Sequence, residues 1–159
     1  MNKTLLLLVF AIFSCLKSFA QPANDVCSNA IVITCGATET GTTDLATIDA
    51  APVCGPSLSI TAPGVWYSFV GTGDSITASL CGSAFDTQIF VYSGTCGSLT
   101  CVVGNDDAGA ACPSNGLNSI ANFNSTAGTN YYILVTGYGT NTGAYSLNIG
   151  CVASPVTPT

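Results

Sequence analysis

The residues of this 159-residue chain best suited to do chemistry are four oxygen donors in two short runs, Asp86 and Asn105-Asp106-Asp107. Carboxylate and amide oxygens supplied from adjacent loops are what a hard cation such as calcium requires. The second run lacks the alternating donors and closing glutamate of an EF-hand, so a calcium site here would be shared between two loops. The same side chains suit turn capping, the more ordinary use of Asp and Asn in loops, through hydrogen bonds to nearby backbone. A glycosidase reading would need one aspartate as acid and another about 5 to 9.5 Å away across a cleft, for which a small domain offers little room.

Charge bounds what else those acids can do. Eight Asp and Glu stand against two lysines, Lys3 and Lys17, with no Arg and no His. Both lysines fall in the first twenty residues, so loss of that segment leaves a net charge of −8 and no internal salt-bridge partner for any carboxylate. An imidazole base, a Schiff-base amine, a phosphate clamp and a basic face for nucleic acid are all excluded from the remainder. The composition therefore points away from enzymes and from nucleic-acid partners. A surface this acidic opposes self-association at low salt, while bridging divalent ions reverse that, so the oligomeric state stays open.

Aromatic residues are the other source of a contact surface. Trp66, Tyr67, Tyr92, Tyr131, Tyr132 and Tyr145 lie in apolar runs and are expected in the core. Tyr138 differs, because Gly137 and Gly139 flank it in a loop. It is the best single candidate for touching an extracellular protein or polysaccharide, with packing of the loop itself as the competing role.

The first twenty residues read as a secretory signal peptide: a charge at Lys3, an apolar run over 5–13, and Ser18-Phe19-Ala20 before Gln21. The apolar run is shorter than the roughly 20 residues needed to span a bilayer, and no later segment is a candidate span. A lipoprotein anchored through Cys15 is the alternative to a freely secreted or surface-displayed chain. Downstream stand Cys27, Cys35, Cys54, Cys81, Cys96, Cys101, Cys112 and Cys151. In an exported chain these are most simply four disulfides, each contributing about 2–4 kcal/mol. Zinc is disfavoured, since there is no C-x-x-C pair and no histidine. Proximity favours Cys27 with Cys35 and Cys96 with Cys101, leaving the other four open.

The elements that must position these residues are short runs rich in β-branched and aromatic side chains, punctuated by Gly, Asn, Asp and Ser. Strands are expected at 30–34, 64–70, 75–80, 87–93, 99–104, 119–124, 130–137 and 144–149, with weaker extended pieces at 38–43 and 57–61. Ile76, Ala78 and Leu80 share one face, as do Tyr145, Leu147 and Ile149. The runs at Trp66 and Tyr131-Tyr132 are apolar on both faces, the mark of central strands or of strands covered by a loop. Gly71-Thr72-Gly73-Asp74 joins two strands at hairpin spacing. The pattern fits one all-β domain over 21–151, an antiparallel β-sandwich of jelly-roll type stapled by disulfides, with a closed barrel as the alternative. Residues 152–159, uncharged and bearing Pro and Thr, read as a linker or tail.

Four motifs in order carry a family resemblance: Phe85-Asp86-Thr87, Asn105-Asp106-Asp107, Tyr131-Tyr132-Ile133-Leu134-Val135 and Gly143-Ala144-Tyr145-Ser146-Leu147. Together they resemble the bacterial pre-peptidase C-terminal domain, over roughly residues 60 to 150. Asn24-Asp25-Val26-Cys27 and Gly64-Val65-Trp66-Tyr67-Ser68-Phe69 look like its cysteine-bearing secreted variants. The resemblance implies a jelly-roll-like accessory module on secreted proteases and adhesins, with some calcium-responsive relatives; nothing in this chain is itself a peptidase. The expectation is thus a non-catalytic binding or display module. A calcium-stabilised structural spacer is the alternative, and a small aspartate-based glycosidase a distant third.

Overall fold

The computed structural model describes residues 20–153. The leader apart from Ala20, its Cys15 included, and the tail from 154 onward lie outside the described residues. Nine strands form two sheets: β1 (Ile31–Val32), β2 (Thr38–Thr42), β3 (Val65–Val70), β4 (Ser75–Ser79), β5 (Thr87–Thr95), β6 (Ser98–Asn105), β7 (Ile120–Asn124), β8 (Asn130–Gly137) and β9 (Ala144–Val152). One sheet runs β1-β3-β8-β5-β6 and the other β2-β9-β4-β7. The only helical pieces among the described residues are two single 3-10 turns, at Cys27–Asn29 and Gly109–Ala111. No helix there is long and apolar enough to cross a membrane.

Period-two alternation builds the core between the sheets. Val65, Tyr67 and Phe69 of β3, Ile89 and Val91 of β5, and Ile133 and Val135 of β8 meet Ile76, Ala78, Tyr145, Leu147 and Ile149 of the facing sheet. The complementary positions Trp66, Phe90, Tyr92 and Leu134 point to the outer side of the first sheet and form a second buried cluster. The segment 44–63 lies over them, packing Ala51, Cys54, Leu58 and Ile60 against their rings. The Tyr92 hydroxyl donates to the Pro52 carbonyl at 2.8 Å, and the Trp66 indole N–H donates to Asp49 at 2.8 Å. Central strands apolar on both faces are thereby explained: one face meets the other sheet and the opposite face meets this cover.

Four expectations need correction. Residues 57–61 form no strand, because Leu58 and Ile60 serve the cover rather than a ladder. The 71–74 link is not a hairpin: β3 and β4 sit in different sheets, and Gly71 instead exchanges backbone hydrogen bonds with Thr129 and Gly128. Pairing is not wholly antiparallel, since β1 runs parallel to β3 before the chain crosses to the other sheet as β2. The disulfides are Cys27–Cys96, Cys35–Cys151, Cys54–Cys101 and Cys81–Cys112, not the near-neighbour pairs. Cys27 and Cys35 flank β1, from which the chain leaves for the opposite sheet, so they lead to different partners. Cys101 lies on β6 opposite Tyr92 and ties down the cover through Cys54, while Cys96 lies in the β5–β6 turn and reaches the N-terminal segment. Four disulfides belong to an oxidising extracellular or periplasmic compartment.

Candidate functional site

Strand direction gathers four connections at one end of the sandwich. β8 ends at Gly137 beside the start of β5 at Thr87, and β9 starts at Ala144 beside the end of β2 at Thr42. β6 leaves at Asn105, and β7 enters at Ile120 opposite Ser79, near the close of β4. The connections 43–64, 80–86, 106–119 and 137–143 therefore share that end. They are knitted together by backbone: Tyr138 N–H donates to Asp86 O at 3.0 Å, Thr87 N–H to Leu117 O at 3.2 Å and Thr43 N–H to Gly143 O at 3.0 Å. Side chains add to this, with Asn118 donating to Phe85 O at 2.9 Å and Thr61 to Gly139 O at 2.7 Å.

Three of the four sequence-derived oxygen donors meet here. Asp86, Asp106 and Asp107 each offer a carboxylate oxygen, and these atoms lie within 4.8 Å of one another. Asp86 and Asp106 are half-buried and Asp107 is exposed. Asn105 turns elsewhere, its side-chain oxygen accepting the Ile120 N–H at 2.9 Å, so it caps the entry to β7. Ser119 and Asn118 also serve the backbone, Ser119 donating to the carbonyls of Thr87 and Asp106. The local capping is thus done by Asn105, Asn118 and Ser119, whereas one oxygen each of Asp86 and Asp106 is shielded from solvent with no hydrogen-bond partner. Burial pushes the Asp86 carboxyl above its ordinary range, and the charges of Asp106 and Asp107 push it further. Burial raises Asp106 as well, partly offset by the Gln88 amide and reinforced by Asp107.

Gln88 was not singled out by sequence reasoning. Alternation along β5 places it on the side of Phe90 and Tyr92, and it is fully buried. Both its amide oxygen and its nitrogen lack a partner in hydrogen-bond geometry, although the amide lies against Asp106. The signal was a lone amide inside an otherwise apolar strand, Thr87-Gln88-Ile89-Phe90-Val91-Tyr92.

Tyr138 stands at the same end, 51 % exposed, while its backbone is held by the bond to Asp86. Every other aromatic side chain among the described residues is buried or half-buried. Leu117, 49 % exposed, and Leu45, 55 % exposed with a left-handed φ of 64°, lie on two of the connections that share this end. Elsewhere, a recess of 240 Å³ is lined by Asn24, Glu39, Gly41, Tyr67 and Tyr145. It falls below the roughly 300 Å³ at which small-molecule sites begin. The Tyr67 and Tyr145 hydroxyls lining it are 2.6 Å apart, and burial holds both phenols above their ordinary range.

No family model and no curated protein matches this chain. Among solved structures it is similar to the pre-peptidase C-terminal domain of a collagenase from Bacillus anthracis, at 18% identity and a TM-score of 0.47, over 76% of this chain and 93% of that one. It is also similar to a periplasmic inhibitor of g-type lysozyme from Aeromonas hydrophila, at 14% identity and a TM-score of 0.46, over 77% of this chain and 99% of that one. A pre-peptidase C-terminal domain, the family that the motifs resemble, thus stands among the structural neighbours of this chain.

Proposed function

We propose that the protein is a non-catalytic, exported binding or display module that contacts an extracellular protein or polysaccharide through the loop end bearing Tyr138. The observation that carries this reading is the exposure of that one ring on a backbone tied to Asp86, when the other aromatic rings among the described residues are withdrawn. A rigid, two-sided aromatic on a fixed loop offers stacking or apolar contact at small entropic cost. An aspartate-based glycosidase fits poorly. Carboxylate oxygens within 4.8 Å leave no gap for the water that an inverting pair holds between groups about 6.5–9.5 Å apart, and no cleft is seen between these three aspartates among the described residues.

The connectivity supports a jelly-roll reading. Taking β2 to β9 as eight strands, the first pairs with the last, β3 with β8, β4 with β7, and β5 with β6. That is one long hairpin rolled across two sheets, with β1 added at an edge. Release as a soluble protein is the simpler fate of the exported chain, and lipid attachment through Cys15 is the alternative.

Binding to immobilised matrix proteins and polysaccharides tests the proposal. Saturable binding by the wild type is expected, falling at least about tenfold in Tyr138→Ala, the loss typical of an interface anchor. Binding equally strong in Tyr138→Ala, or none to any component by the wild type, would contradict it.

A further inference from the structure

Three carboxylates whose oxygens lie within 4.8 Å of one another repel, and the described part of this protein has no basic side chain to offset them. The only basic side chains of the sequence are Lys3 and Lys17, outside the described residues. Acidic clusters at protein surfaces commonly disperse into water, but here one oxygen of Asp86 and one of Asp106 are shielded from solvent and accept no hydrogen bond. Burying an ionised oxygen without a partner is costly, so such atoms mark either strain or a missing ligand.

Gln88 distinguishes the two. A fully buried amide normally has its hydrogen bonds met. Here neither its oxygen nor its nitrogen has a partner in hydrogen-bond geometry, although the amide lies near enough to Asp106 to favour that carboxylate, and it follows Asp86 by two residues at the start of β5. Its cross-strand neighbour Thr136 offers no partner, because that hydroxyl donates to the Ala62 and Pro63 carbonyls. Turn capping does not account for these atoms, because the caps at this corner come from Asn105, Asn118, Ser119 and Thr87.

We propose that Asp86, Asp106 and Asp107 bind one hard divalent cation, calcium by chemistry, with the amide oxygen of Gln88 as a buried fourth donor. The donor set is all oxygen, without imidazole or free thiolate, which disfavours zinc, copper and nickel. Calcium takes six to eight oxygens in irregular geometry, and carboxylates bind it through one or both oxygens. Asp107 faces solvent, leaving the remaining positions to water. Magnesium demands near-ideal octahedral geometry and dehydrates reluctantly, so it fits a half-buried, asymmetric corner less well. The ion would fasten the start of β5 to the exit of β6, the corner to which the 137–143 loop is hydrogen-bonded through Asp86. The site stands whether or not Tyr138 touches a ligand.

Thermal unfolding of the oxidised, exported protein tests this directly. Calcium at 100 times its dissociation constant, against EDTA, is expected to raise the midpoint by about 5–10 °C for a domain of this size. Asp106→Asn, nearly isosteric, is expected to abolish the shift while remaining folded without calcium. Gln88→Met is expected to raise the calcium-free midpoint, by removing the unpartnered amide, and to weaken calcium binding in calorimetry on the order of tenfold. No shift with calcium, an equal shift from sodium chloride at matched ionic strength, or an undiminished shift in Asp106→Asn would overturn the site. Unchanged affinity in Gln88→Met would remove Gln88 from it.

Discussion

Asp49 is a carboxylate placed where its charge is a burden. It accepts the Trp66 indole N–H with one oxygen, its other oxygen is shielded without a partner, and Asp25 is near enough to repel it. Burial, set against that indole bond and reinforced by Asp25, raises its pKa from 3.8 to about 6, and the Tyr92 phenol is the other titratable group beside it. The folded state therefore holds the proton more tightly than the unfolded chain. The stability this contributes is fully present below pH 3.8 and is lost as the pH rises through 6. Asp49→Asn keeps an oxygen for the indole and removes the charge, so its midpoint should exceed that of the wild type at pH 7 and match it more closely at pH 4. Parallel pH profiles for the two proteins would refute this. At this scale the sequence was partly legible. Asp86, Asp106 and Asp107 stand out by type, and Tyr138 by its flanking glycines. Gln88 and Asp49 matter because of what lies over them, and no spacing encodes that.

Among the elements, the segment 44–63 is unusual in covering a sheet face without being a strand. Leu58 and Ile60, two residues apart, leave only the weak trace of an extended piece at 57–61, and Ala51 does not share their period, so periodicity could not mark the whole segment as a cover. The strands themselves were legible, β8 to the residue and others within one to three, because period-two burial leaves a direct trace in β4 and β9. Gly104 is where the cover meets the sheet: a Cβ there would come 2.7 Å from Leu58 and 2.8 Å from Cys54. Gly104→Val should lift the cover at a cost of about 1–3 kcal/mol from overpacking. Trp66, the single tryptophan of the chain and 1 % exposed, reports on this, and its emission should shift to longer wavelength. Unaltered emission and midpoint would show that the cover is not seated there as described.

For the whole molecule, the disulfides join what the strands alone leave separate. Cys35–Cys151 links residues 116 apart and fastens the segment leading into β2 to the end of β9, whereas Cys81–Cys112 closes a span of 31. Chain entropy alone assigns about 5 kcal/mol to the first and about 4 to the second. Paired Cys→Ala replacement should therefore lower stability more at Cys35 and Cys151 than at Cys81 and Cys112. The reverse order would mean that the 106–119 connection depends on its staple more than the sheets depend on theirs. Connectivity was illegible in the sequence because it follows from which sheet each strand joins, and spacing along the chain carries no record of that. The two-sheet arrangement also sets where the proposed contact end lies. It collects the long connections at the Tyr138 end and leaves short links, 71–74 and 125–129, at the other. Amide hydrogen exchange of the protein with and without a saturating matrix component to which it binds tests that placement most directly. Slowed exchange is expected in 85–88, 106–118 and 137–143 with 71–74 and 125–129 unaffected; protection confined to 71–74 and 125–129 would place the contact at the opposite end and overturn this assignment.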